Sequence, residues 1–173
     1  MPTSDSLLKK AIRHYQSGEL FAAEKDFRQL LSIQPNHVLV LNILGIICLG
    51  SDRADESIRL IQAALKIKPN DHQAFANLAL AKHKTGEFRG AIDALEKSLS
   101  IEPKNINALN TLGSLYRDKG DIVRASQYYQ NALDIAPDNV DTLLNYSIVE
   151  RTEGRFKESL KRALRASQIA PER

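Results

Sequence analysis

The chain has 173 residues, 43% of them hydrophobic and 26% charged, with a formal net charge of +3. That balance is ordinary for a globular protein in water and too weakly basic to argue for nucleic acid or an anionic membrane as partner. The single cysteine, Cys48, leaves no disulfide framework within the chain, and no apolar run nears the ~20 residues of a membrane span. The opening MPTSDSLLKK lacks the apolar segment of a secretory signal, so a reducing, cytoplasmic setting is the expectation.

Taken in order, the chain repeats itself. Pro35, Pro69, Pro103, Pro137 and Pro171 stand 34 residues apart, and two residues before each is an isoleucine: Ile33, Ile67, Ile101, Ile135 and Ile169. Such a strict period marks an array in which each unit buries its apolar face against its neighbours. Gly18, Gly86, Gly120 and Gly154 precede four of the prolines in one register, where a left-handed residue can end one helix and start the next. In the second unit that place is taken by Asp52. Asn36, Asn70 with Asp71, Asn105, and Asp138 with Asn139 follow the prolines as expected helix caps. The pattern predicts helices over 5–16, 20–33, 38–49, 54–67, 72–84, 88–101, 106–118, 122–135, 140–152 and 156–169. One array over 1–173 results, with repeats at about 4–37, 38–71, 72–105, 106–139 and 140–173.

Side-chain spacing supports this. Ala108, Leu109, Leu112, Leu115 and Tyr116 share one stripe of their helix, and Ile122, Ala125, Tyr129, Ala132 and Leu133 share one stripe of the next. Small residues recur where paired helices should approach: Gly45, Ala79, Gly113 and Ser147 on first helices, with Ala23, Ser57, Ala91, Ala125 and Ser159 on second helices. The aromatic residues Phe27, Tyr129, Phe88 and Phe156 are expected to fill the core.

These residues resemble the tetratricopeptide repeat, most closely in FANLALAKHKTGEFRGAIDALEKSLSIEP and LNTLGSLYRDKGDIVRASQYYQNALDIAP. The first and last units depart from it, with Lys10 and Tyr146 where leucine is usual. The resemblance implies an all-α, right-handed α-solenoid of five helix–turn–helix units, whose first helices line a concave groove. The opening units also resemble bacterial arrays that precede enzyme domains. An alternative function is therefore the N-terminal substrate-recruiting module of a larger bacterial enzyme: a glycosyltransferase, sulfotransferase, methyltransferase or oxygenase.

No catalytic set emerges. His14, His37, His72 and His83 lack metal-ligand spacing, and Cys48 lies in the apolar run VLVLNILGIICLG as a buried hydrophobe would. The expectation is a protein without cofactor, metal site or enzymatic activity.

Three groups of first-helix residues are candidates for binding a protein or peptide. Asn42, Asn77, Asn110 and Asn145 offer amides able to satisfy an extended backbone. Asn77 and Asn145 match the asparagine ladder of the O-GlcNAc transferase repeats. His83, Arg117 and Arg151 recur at one register as a row able to attract carboxylates. The helix over 38–49 is apolar nearly all round, so Leu39, Ile43, Ile46 and Leu49 are expected to face the groove beside Leu8 and Ile12, as a partner surface or a self-association patch. Family members that clamp heat-shock chaperone C-terminal tails hold the carboxylate with asparagines and basic residues. Here Leu8, Ile12, Ile43, Gln73 and Asn77 stand at those places, which argues against such tails.

Overall fold

The computed structural model describes residues 3–172. Among them the helices are α1 (Ser4–Gln16), α2 (Leu20–Ile33), α3 (Val38–Gly50), α4 (Ala54–Ile67) and α5 (His72–Lys84). They continue with α6 (Phe88–Ile101), α7 (Ile106–Asp118), α8 (Ile122–Ile135), α9 (Val140–Thr152) and α10 (Phe156–Ile169). No strand occurs among the described residues, and no helix there is long and apolar enough to cross a membrane. Two compact units, Met1–Ala94 and Leu95–Arg173, divide the chain within α6.

Each pair of helices is joined by the same turn. The residue after the turn donates its backbone N–H to the carbonyl five residues earlier: Glu19 to His14, Arg53 to Cys48, Glu87 to Lys82, Asp121 to Tyr116 and Arg155 to Glu150, all at 2.8–2.9 Å. This closure satisfies carbonyls left open at a helix end and requires a left-handed residue in the middle. Gly18, Gly86, Gly120 and Gly154 supply it at φ 75–80°, and Asp52 supplies it at φ 59°.

The caps are tidier than the sequence implied. The second residue after each proline takes the capping place: Asp71, Asn105 and Asn139 accept the N–H of Ala74, Ala108 and Thr142. At α3 that place belongs to His37, whose side chain makes no cap bond, so Asn36 is not the cap.

In the first unit, Leu7, Ala11, Ala23, Phe27, Leu30, Val40, Leu44 and Ile47 form one buried cluster. Burying a side chain such as Phe27 contributes roughly 2–3 kcal/mol. Close approach depends on missing side chains. A Cβ on Gly45 would lie 2.6 Å from Ile61 Cγ1, and one on Gly113 would lie 2.7 Å from the Tyr129 ring. Ser159 Oγ donates to the Ser147 carbonyl at 2.8 Å, so the last pair of helices is also tied by a hydrogen bond. Phe27 and Tyr129 are fully buried, as core fillers should be. Phe88 and Phe156 are exposed: they share the register of Ile122, and each is the first residue of its helix, where the apolar stripe runs out beside the turn.

Outside the core, α2 and α4 are linked by charge. Glu24 receives both Arg53 nitrogens, at 2.7 and 2.6 Å, and Arg28 bridges Glu24 and Glu56. The Arg53 hydrogen bonds, aided by Arg28, hold the Glu24 carboxyl down at about 2.

The departures in α1 have a structural meaning. Ser6, Lys10 and Arg13 are exposed at the register where α3 buries Val40, Leu44 and Ile47, and α9 buries Thr142, Tyr146 and Val149. Lys10 instead turns to Asp26 on α2, with its Nζ 3.1 Å from Oδ2.

Candidate functional site

In the first unit α3 neighbours α5, and in the second α7 neighbours α9, so within each unit two first helices of successive repeats lie side by side. The candidate residues on them divide sharply by environment.

Among the asparagines, Asn77 is buried and accepts a hydrogen bond from Gln73 Nε2 at 3.4 Å. Asn110 is half-buried, and its Oδ1 accepts from Thr142 Oγ1 at 2.8 Å. That hydroxyl also sits 2.8 Å from Asn139 Oδ1, so its single proton is shared between a cap and the α7–α9 contact. Asn42 and Asn145 are half-buried, and the Asn42 Oδ1 is enclosed without a hydrogen-bond partner among the described residues. Asn77 and Asn110 therefore act first inside the fold.

The basic residues are graded. His83 is half-buried, with its ring edge-on to Phe88 at 5.3 Å. Arg117 pairs with its neighbour Asp118 at 3.0 Å. Arg151 is exposed and has no ion-pair partner among the described residues. Lys84, next to His83, is held by Asp52 and by the Leu49 carbonyl.

The apolar group splits in two. Leu8, Ile12 and Ile43 pack half-buried against the first unit's core, and Leu49 is half-buried as well. Leu39 and Ile46 are exposed. The expected continuous patch is thus interrupted, because residues flanking a narrow core stripe still reach it with part of their side chains.

Cys48 is fully buried, and the loss of solvation pushes its thiol up to about 11. His14 Nδ1 lies 3.1 Å from Oδ2 of the buried Asp26, a pair that joins α1 to α2 and that the sequence did not reveal. No cluster of potential metal ligands exists among the described residues.

Three family models described as tetratricopeptide repeat match residues 8–72, 72–105 and 106–139. The chain belongs to the tetratricopeptide repeat family. A peroxisomal targeting signal receptor from Kluyveromyces lactis is 33% identical over 85 residues, which is 45% of this chain and 15% of that receptor. The array thus spans a small part of that relative's length. The solved structure of PilW, described as a widely conserved type IV pilus biogenesis factor, superposes with a TM-score of 0.88 at 22% identity, covering 99% of this chain and 80% of that one. YrrB, described as a tetratricopeptide repeat protein with an unusual peptide-binding site, gives 0.76 at 15% identity, covering 99% and 88%. At these identities the superpositions establish the fold, an α-solenoid of five helix–turn–helix units.

Within the tetratricopeptide array the candidate Ile46 has exposed counterparts, Leu80 and Ile148, that the sequence reading passed over. Ile46 on α3 is 36% exposed, Leu80 on α5 is 44% exposed and Ile148 on α9 is 40% exposed. They share one register, with Ile12 and Ser114 at the same place in the other repeats. The 34-residue register was the available signal: an aliphatic residue that recurs beside the core stripe, not on it.

Proposed function

We propose that this tetratricopeptide array is a non-catalytic scaffold that binds a protein or peptide segment on the exposed faces of its first helices. The observation that carries this reading is the recurrent exposed aliphatic at Ile46, Leu80 and Ile148. A solvated helix face has no need of such residues. Within the first unit a ligand crossing α3 and α5 would meet Ile46 and then Leu80, and adjoining exposed apolar surface of this kind suits a partner. Leu39 adds to the apolar character in the first unit, while Arg151 supplies in the second an exposed cation without an ion-pair partner among the described residues. The peptide-binding description of YrrB and the receptor description of the yeast relative fit the same class of role.

Selection from a displayed random-peptide library tests it. Peptides enriched on the purified chain are expected to share apolar anchors and to lose binding to a variant carrying Ile46→Asp and Leu80→Asp. Both positions are exposed, so the variant should keep its helical circular dichroism and melting curve. Enriched peptides that bind the folded variant as well as the parent would refute the assignment.

A further inference from the structure

A cavity of about 590 Å³ opens between α2 and the turn that joins α3 to α4, inside the first compact unit. Leu20 and Phe21 on α2 and Ile47 on α3 give it apolar walls, and Lys25, Arg28 and Arg53 bring three cations to it. Phe21 lines it while 87% exposed, a large aromatic surface with no covering side chain. Lys25 is exposed as well and has no ion-pair partner among the described residues.

The acids beside the cavity are already committed. Glu24 accepts from Arg53 at both oxygens and from Arg28 at one, and Glu56 takes Arg28 at 2.6 Å and Arg53 at 3.1 Å. Every oxygen of the two carboxylates thus has a guanidinium donor. The donors are not used up in turn: Arg28 Nη1 and Arg53 Nε take no part in these bonds, and Lys25 is the cation left over. A group entering beside Lys25 therefore meets positive charge and open N–H donors, which suit an acidic group.

Size and register say what carries that group. A cavity of this volume, with apolar walls and a few convergent polar groups, suits a small molecule. No other repeat has an aromatic residue at the register of Phe21, where Asp55, Arg89, Val123 and Lys157 stand. None has a cation at the register of Arg28, where Gln62, Glu96, Gln130 and Leu164 stand. A segment running along the array would gain from a combination that recurs, whereas this one occurs at a single junction. We propose that the cavity between α2 and the α3–α4 turn binds a small amphipathic anion. Its apolar body lies against Leu20, Phe21 and Ile47, and its acidic group meets Lys25 and Arg28. The site shares no residue with the exposed row of Ile46, Leu80 and Ile148.

Two fluorescent probes test this: anilinonaphthalene sulfonate, an aromatic body with one anionic group, and phenylnaphthylamine, the same body without it. The sulfonate should bind the folded 173-residue chain at one saturable site. Lys25→Glu should weaken the sulfonate about fivefold and leave the neutral probe within about twofold. Phe21→Ser should weaken both probes, and added salt should loosen the sulfonate alone. Both positions are exposed, so each variant should keep its helical circular dichroism and melting curve. Ile46→Asp with Leu80→Asp should leave both probes bound as before. Absence of a saturable site, or sulfonate binding unchanged in Lys25→Glu or in Phe21→Ser, overturns the proposal. So does loss of the sulfonate from the Ile46→Asp, Leu80→Asp variant, which would put the probe on the first-helix faces.

Discussion

The Tyr129 ring occupies the volume that a side chain on Gly113 would need, with Cε1 2.7 Å from the place a Cβ would take. Because the ring is fully buried and its hydroxyl is 2.9 Å from Ser114 Oγ, it has little freedom to retreat. Gly113→Ala should therefore destabilise the chain by about 1–3 kcal/mol, despite the gain in helix propensity. Thermal melts of Gly113→Ala, Tyr129→Leu and the double variant measure it. The alanine should cost less in the Tyr129→Leu background, since the shorter side chain leaves room.

Glu24 gives the chain an acid-sensitive tie. Its carboxyl is held at about 2, against 4.5 for an unperturbed glutamate, so protonation is resisted in the folded state. A depressed folded value means that the stabilisation is fully present above 4.5 and is lost as pH falls from there toward 2. Both arginines are substantially exposed, so solvent screening limits the contribution to about 1 kcal/mol. Denaturant melts at pH 6 and pH 3 should show a smaller acid-induced loss in Glu24→Gln than in the parent.

His37 stands where Asp71, Asn105 and Asn139 cap their helices, and its backbone angles, φ −78° and ψ 96°, match theirs. His37→Asp should thus add the missing bond to the first turn of α3 and stabilise the chain by about 0.5–1 kcal/mol. A rise in melting temperature of roughly 1–4 °C is the expected reading. No rise would mean that the Asp cannot reach the amide despite the matching backbone.

Cys48 should be inert in the native chain. It is fully buried, and burial, reinforced by the nearby Glu56 carboxylate, keeps its thiol protonated at neutral pH. A colourimetric thiol reagent is expected to react with one equivalent after unfolding and with almost none before it. Prompt native reaction would show that α3 opens locally.

The helices were legible because proline, isoleucine and turn residue recur on one 34-residue grid, and each has a backbone reason to be there. Gly45 and Gly113 were legible as contacts for the same reason: the small size repeats. Environment was harder to read. Phe88 and Phe156 looked like core by residue type and register, yet each opens its helix beside the turn and is exposed. Asn77 looked like a ligand amide, but its position turns it into the fold. Residue type alone does not reveal such a rotation about the helix axis. Ile46 was legible as an outward-facing residue because its helix is apolar nearly all round, whereas its counterparts Leu80 and Ile148 lie on helices of mixed composition that give no such signal.

One turn differs from the rest in a way that reaches past its own repeat. Asp52 is the described non-glycine residue at positive φ, and its carboxylate, kept below the usual range by Lys84, joins the α3–α4 turn to α5 in the following repeat. Lys84 also closes on the Leu49 carbonyl, so the same side chain holds both the turn and the helix end before it. In an array whose stability is a sum of intrinsic and nearest-neighbour terms, glycine turns contribute only to the first kind. The Asp52 turn contributes to the second. The second and third repeats are thereby coupled at their rim and should fray together, with added salt loosening that cooperativity before it loosens either repeat alone.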